Sequence, residues 1–320
     1  MARIIGLIVL LAAAVGTAFA QTYPDRPIRM IVPWPPGQAT DIVGRLIAQG
    51  LQQALGQPVI VDNRAGAGGM IGTEAASKAV PDGYTLLAAS SGPVTVSPLL
   101  QKVPYDSEKS FTPIHLCCLS PYLLVTHPSF PAANIKEFIS LVKANPGKYS
   151  FSSSGAGATA HLISEWFNAR AELQATHVPY KGSAPSLTDV VGGQITYSIE
   201  TLAATGPLVR SGKLKAYGVS LAKGTTLAPD IPSIASAAGM AGFNAGAWLG
   251  LMAPAGLPRE ISARLSSELA KILTQPESRE KFAAAGLEVD SQPSDAFASY
   301  LKGETARFSG IIKSANIKID

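Results

Sequence analysis

Apolar positions along the chain alternate between two rhythms. Residues 28–34 (IRMIVPW) form a nearly continuous apolar run of strand length. Over 41–55, Ile42, Val43, Leu46, Ile47, Leu51 and Leu55 follow at the spacing of one helix face. Residues 58–63 (PVIVDN) read as a second strand, 69–78 as a second helix and 84–89 (YTLLAA) as a third strand. Short apolar strands separated by helices are the signature of a parallel sheet with helical crossovers. The rhythm breaks at 111–126, where extended stretches at 111–116 and 122–126 follow each other with no long helix between them. It then resumes. Helices over 134–143, 159–170, 183–191 and 202–210 interleave with strands over 149–152, 176–178, 195–199 and 214–220. Residues 221–245 are rich in Gly, Ala, Pro and Ser and read as a connection, and 247–253 (AWLGLMA) is extended again. Three helices close the chain. One has Pro258 in its first turn, one is capped by Thr274 with Glu277 three residues on as a capping box, and one is capped by Ser294.

This pattern predicts an α/β fold of two lobes, each a mostly parallel sheet flanked by helices, joined by crossover strands near 111–126 and 247–253. The first lobe is expected to be discontinuous (21–110 and 226–320) and the second inserted (111–225). Two lobes on a double hinge close like a shell around a ligand.

Composition narrows the picture. The chain has 320 residues, 47% of them hydrophobic, enough for such a core without disulfides or metals. The net charge of +4 is spread without a Lys/Arg block, which argues against nucleic-acid binding. Residues 1–20 stand apart: Arg3, an apolar run over 4–15 and Ala18-Phe19-Ala20 read as a secretory signal peptide cleaved after Ala20. The run is short for a membrane anchor, so the mature chain is expected in the periplasm. Cys117 and Cys118 are adjacent; neighbours bridge only with strain, so they are expected to fill core space. The four His residues are far apart in sequence, and no metal or cofactor is expected.

The candidate chemistry lies at strand-to-helix corners, where open α/β sheets bind ligands. In PWPPGQATD, residues 33–41, Pro33, Pro35 and Pro36 stiffen the approach, and Gly37, Gln38 and Ala39 leave backbone N–H groups uncovered. Either Thr40 or Ala39 is placed to cap the helix. Trp34 reads equally as an aromatic wall of a site and as a core residue. A second corner, SFSSSGAGATAHL, residues 150–162, repeats the device with Ser153, Ser154, Gly157, Ala158 and Thr159. Each corner alone is an ordinary tight turn. Two of them facing each other would bring two helix N-termini onto one cleft, which suits a small carboxylate. Neither carries an arginine, which argues against a guanidinium clamp. The stretch VDNRAGAGGMIG, residues 61–72, fails the dinucleotide fingerprint because Ile71 stands at the third glycine position; it reads as a turn packed near the first corner. Ser153 or Ser154 with His161 suggests a nucleophile and base, but no orienting acid accompanies them. An enzyme is therefore not expected.

Five segments together carry a resemblance: PWPPGQATDIVGRLIAQGL, VDNRAGAGGMIGTEAASKAVPDGYTLL, FSSSGAGATAHLISEWF, HVPYKGSAPSLTDVVGGQI and APAGLP. In order, over essentially the whole mature chain, the sequence resembles the Bug family, substrate-binding proteins of tripartite tricarboxylate transporters. The resemblance implies the type II periplasmic-binding-protein fold, small carboxylates or nicotinic acid derivatives as ligands, and membrane transporter subunits or a sensor kinase as partners. A monomer is expected. It also implies that Pro36 to Asp41 grip a carboxylate and that Ser153 to Thr159 with His161 hold it from the other side. Ser90 and Ser91 would line the cleft, with Tyr180 and Lys181 near its rim. The segment after Ile199 would select the distal end of the ligand. Two positions depart from the family pattern: Gln38 stands where a second glycine is usual, and Glu200 where an aspartate is usual. Glu200 either disfavours an acidic distal group or binds an amine.

Overall fold

The computed structural model describes residues 23–317; the expected signal peptide lies outside them. The alternation becomes two mixed sheets. The first contains β1 (Ile28–Val32), β2 (Val59–Asn63), β3 (Thr85–Ser90) and β4 (Phe111–Ser120). The second contains β5 (Tyr122–Thr126), β6 (Ser150–Ser153), β7 (Thr176–Pro179), β8 (Tyr197–Thr201) and β9 (Lys215–Val219). The chain then returns to the first sheet as β10 (Ala247–Pro254) and β11 (Glu288–Pro293). The orders are β11-β4-β10-β3-β1-β2 and β7-β6-β8-β5-β9.

Pairs formed through helical crossovers, β1 with β2 and β3, and β6 with β7 and β8, are parallel. Strands next to the passages between sheets pair antiparallel, β10 with β3 and β4, and β5 with β8 and β9. Each sheet is therefore less parallel than the helix–strand rhythm alone predicts.

The helices are α1 (Ala39–Leu55), α2 (Met70–Ser77), the short α3 (Ser97–Leu100), α4 (Ile135–Lys143), α5 (Thr159–Ala171), α6 (Ser183–Val191), α7 (Leu202–Arg210) and α8 (Ile234–Ala237). Three more close the chain: α9 (Arg259–Thr274), α10 (Pro276–Ala284) and α11 (Ser294–Ser314). Most occupy the expected segments, but the short α3 lies outside them and α8 forms within 221–245, the stretch read as a connection. On α1, Val43, Ile47 and Leu51 are buried at helical spacing, against Met30 and Val32 of β1. The expected caps near the C-terminus do not form. Thr274 ends α9, and its hydroxyl donates back to the Ala270 carbonyl. The Ser294 hydroxyl donates to Pro113 of β4 instead of capping α11.

The first sheet keeps β4 over its full length, so the chain leaves that sheet at Pro121 and not at residue 111. On the return, Ile234, Met240, Phe243 and Ala245 pack in the core of the second sheet, so the passage back falls near Gly246 and not at residue 226. Helix α11 spans both: Phe297 packs with Trp248 on the first sheet, while Phe308 and Ile311 enter the second core.

Cys117 is the extra residue of a bulge, since Leu249 pairs with Cys118 and Gly250 with Leu116. Both thiols are free and buried in the same core, as apolar filler. Burial pushes both thiols well above their ordinary pKa.

Gly250 sits where β10 meets β4 and α11 most closely. A Cβ there would lie 2.6 Å from the His115 carbonyl oxygen and 2.9 Å from the Phe297 ring. Gly250→Ala is expected to lower stability by about 2 kcal/mol or more. Gly303→Ala, in open space on α11, should raise it by about 1 kcal/mol. Urea denaturation of the two variants checks both signs.

Candidate functional site

The two corners are built alike. At the first, Gly37 takes φ +85°, and its N–H donates to Asp41 Oδ2 at 2.9 Å. At the second, Gly157 takes φ +74°, and its N–H donates to His161 Nδ1 at 3.2 Å. In each, a side chain in the first helical turn reaches back four residues and holds the glycine turn in shape. The helix caps are Gln38 and Ala158, neither through its side chain, so neither Thr40 nor Ala39 caps α1. Helix geometry leaves the first-turn N–H groups of both helices without intrahelical acceptors.

Asp41 is thereby assigned to scaffolding. It is buried and also accepts from Asn63 Nδ2 at 2.8 Å and from Arg45 Nε at 3.0 Å. Burial works to raise its pKa, but the bonds from Arg45, Asn63 and Gly37 prevail and hold the carboxyl below its ordinary range. His161 is likewise turned inward. Its ring stacks on His177 at 3.9 Å, and His177 Nε2 pairs with Ser153 Oγ at 2.7 Å. Burial, and then the neighbouring His161, push the His177 pKa down to about 3, so this ring stays neutral. Ser153 thus pairs with His177, and the Ser153–His161 dyad is not assembled.

Between the corners lies a cavity of about 30 Å³. Trp34, Gln38, Ala39 and Thr40 line it from the first corner, and Ser154, Ala158 and Thr159 from the second. Ser90 and Ser91 come from the end of β3, and Glu200 from β8. Pro36, Gly37, Asp41, Ser153, Gly157 and His161 stand behind this lining and shape the turns. Tyr180 lies on a neighbouring pocket of about 350 Å³, with Lys181, Ser154 and the Gly66–Gly69 stretch. In that stretch Gly68 comes so close to the second corner that a Cβ would lie 2.7 Å from the Ala156 carbonyl oxygen. Trp34 sits where its two readings overlap. It belongs to the first core and lines the cavity, with its indole N–H donating to Ser90 Oγ at 2.9 Å.

Among the described residues, hydrogen bonds tie the two sides together at and around the cavity. Ser91 Oγ and Thr159 Oγ1 share a hydrogen bond of 2.7 Å. Ser97 Oγ donates to the Gly157 carbonyl at 3.1 Å. Gln38 Nε2 donates to Ser183 Oγ at 2.9 Å, and that hydroxyl in turn donates to Glu200 Oε2. Glu200 Oε1 also accepts from Ser154 Oγ at 3.3 Å. The Glu200 side chain is 1% exposed, and its burial pushes the pKa up to about 7 despite these hydroxyl donors.

Sequence reasoning missed Ser183 and Tyr122, which also line the cavity, as does Thr201 in the expected segment after Ile199. Ser183 follows a glycine at the start of a helix, as each corner does. Its pairing with Gln38, 145 positions away, leaves no local trace.

Two mixed sheets, joined twice and presenting helix N-termini from both sides to one polar cavity, define a solute-binding protein of the type II periplasmic-binding-protein fold. The chain belongs to the TctC family, the tripartite tricarboxylate transporter family receptors, whose profile matches residues 43–317. It is 36% identical to protein BugT of Bordetella pertussis over 318 residues, covering 99% of this chain and 97% of that one. Among solved structures, it is similar to an R. palustris protein with adipate (31% identity, TM-score 0.89, 92% of this chain and 99% of that one). It is also similar to MatC of Rhodopseudomonas palustris with bound malate (31% identity, TM-score 0.85, 91% and 100%).

Glu200 has a consequence for stability. Its folded pKa lies above the unfolded value, so the folded state holds the proton more tightly. The associated stability is fully present below pH about 4.5 and is lost as pH rises through about 7. The difference amounts to roughly 3 kcal/mol. Glu200→Gln should remove this dependence, so that its stability relative to wild type improves steadily from pH about 5 to about 8. Denaturation curves across that range measure it.

Proposed function

We propose that the protein is an extracytoplasmic solute-binding protein. It captures a small carboxylate between two lobes and delivers it to the membrane subunits of a tripartite tricarboxylate transporter. One observation carries the reading: the N-termini of α1 and α5, from opposite sheets, meet at one cavity, and Ser91 and Thr159 bond across it. A helix N-terminus combines free N–H donors with a partial positive charge. Two of them on facing sides recognise a carboxylate only when the sides are together. Among the described residues neither Lys nor Arg lines the cavity, so backbone N–H groups and hydroxyls take the place of a guanidinium. The adipate and malate found in similar proteins are of the same chemical class.

The lobes divide at Pro121 and near Gly246. As described, the cavity has room for little more than a water molecule. Ligand entry therefore requires the lobes to part, and the contacts of Gln38, Ser91 and Ser97 are among those that must break. Both halves of the site come from one chain, so a monomer suffices. The family and residues 1–20, read as a signal peptide, support a periplasmic location for the working protein. Neither the cavity nor the Ser153–His177 pair calls for catalysis, and the protein acts by binding alone.

The test is calorimetric titration of the mature chain, residues 21–320, with mono- and dicarboxylates. At Gly157, a Cβ would lie 2.6 Å from Gln101 Nε2 and 3.1 Å from Ser97 Oγ, both on the opposite side. Gly157→Val is expected to block closure and weaken binding by about a hundredfold, roughly 3 kcal/mol. Thr159→Ala loses one hydroxyl contact and should cost about tenfold or less. Equal affinity of Gly157→Val and wild type would falsify closure around the ligand.

A further inference from the structure

Gln38 sits at the cap position of α1, but its side chain makes no capping bond. It is buried instead, lines the cavity and carries its amide across to the second lobe. There Nε2 donates to Ser183 Oγ at 2.9 Å, and the Ser183 hydroxyl donates onward to Glu200. The approach is shaped for this contact. A Cβ at Gly182 would lie 3.0 Å from Pro35 Cγ and 3.4 Å from Gln38 Nε2, so glycine there admits the first corner to the start of α6.

A buried hydroxyl or carboxylate is costly unless it is hydrogen-bonded. The Gln38 amide supplies a donor to these groups, as a polar solute would. It satisfies them incompletely, because Thr201 Oγ1, buried in the same lining, has no hydrogen-bond partner among the described residues. The amide also takes up room. The cavity beside it measures about 30 Å³, and an organic acid as large as succinate does not fit there. We propose that Gln38 is a resident competitor: its side chain occupies part of the solute's place, and binding requires the amide to leave Ser183. The inference rests on the carboxylate reading above and goes beyond it. Molecules with the amide in place do not bind, so the apparent affinity falls with the fraction that is competent. Gln38 therefore acts with the opposite sign to Thr159: removing its side chain strengthens binding.

The experiment is calorimetric titration of the mature chain, residues 21–320, unfolded and refolded beforehand to strip bound solute. The probes are propionate, butyrate, succinate, malate, glutarate and adipate, against wild type, Gln38→Gly and Gln38→Ala. Neither variant loses a capping bond, and glycine is well accepted at a helix cap. The expected result is that both variants bind the tightest probe about fivefold tighter than wild type, or more. Equal or weaker binding by both variants, with wild type binding, overturns the inference and leaves the carboxylate reading intact. Binding of no probe to any of the three proteins overturns both. A second measurement needs no variant: nuclear magnetic resonance of the Gln38 side-chain N–H groups in wild type. Saturating carboxylate should shift these resonances and speed their exchange with water as the bond to Ser183 breaks. Resonances left unchanged by a bound carboxylate overturn the inference.

Discussion

The fold hangs on a small knot of hydrogen bonds where the chain passes between its sheets. Ser220 is fully buried there. Its hydroxyl accepts from the Tyr122 N–H at 3.0 Å and donates to the Ala245 carbonyl, while its own N–H donates to the Tyr122 carbonyl at 2.9 Å. Tyr122 belongs to the first passage and Ala245 to the second, so one side chain registers both connections. Because the passages are held side by side, the carboxyl ends of the parallel strands in the two sheets open onto the same space. The two glycine corners owe their meeting to that arrangement. Helix α11 adds a third link by contributing Phe297 to one core and Phe308 to the other.

The cavity trades stability for recognition. A buried carboxylate supported by hydroxyls, and an unpartnered buried threonine hydroxyl, are arrangements a core built only for stability would avoid. Here they are surrounded by rigid parts. Asp41 and His161 fix their turns from behind, proline stiffens the first approach, and Trp34 packs into the core while lining the site. The groups that line the cavity are thus held by residues that do not line it. This explains why several residues in the recognised motifs stand behind the lining.

Much of the fold was legible because each strand and helix has its own local cause. Apolar runs of strand length between helices with a single buried face name the elements of an α/β protein in order, and the corners PPGQAT and GAGAT announce themselves by glycine and small residues. The edge strand β11 was not legible. Its residues 288–293 (EVDSQP) are mostly polar, and it is a strand only because β4 offers it an unpaired edge. The domain limits shifted for the same reason. Phe111–Ser120 looks like a passage in sequence, but pairing with β10 claims all of it for the first sheet.

By itself the sequence determined the kind of elements, their order, the two turn-and-helix corners and the family, since these depend on neighbours a few residues apart. The tertiary structure decided which side of each corner faces the cavity. Asp41, His161 and Ser153 brace their turns, while Ser183 and Tyr122, which no motif marked, line the cavity. Contacts between residues more than a hundred positions apart, such as Gln38 with Ser183, are set by the docking of whole sheets, and no local pattern encodes them.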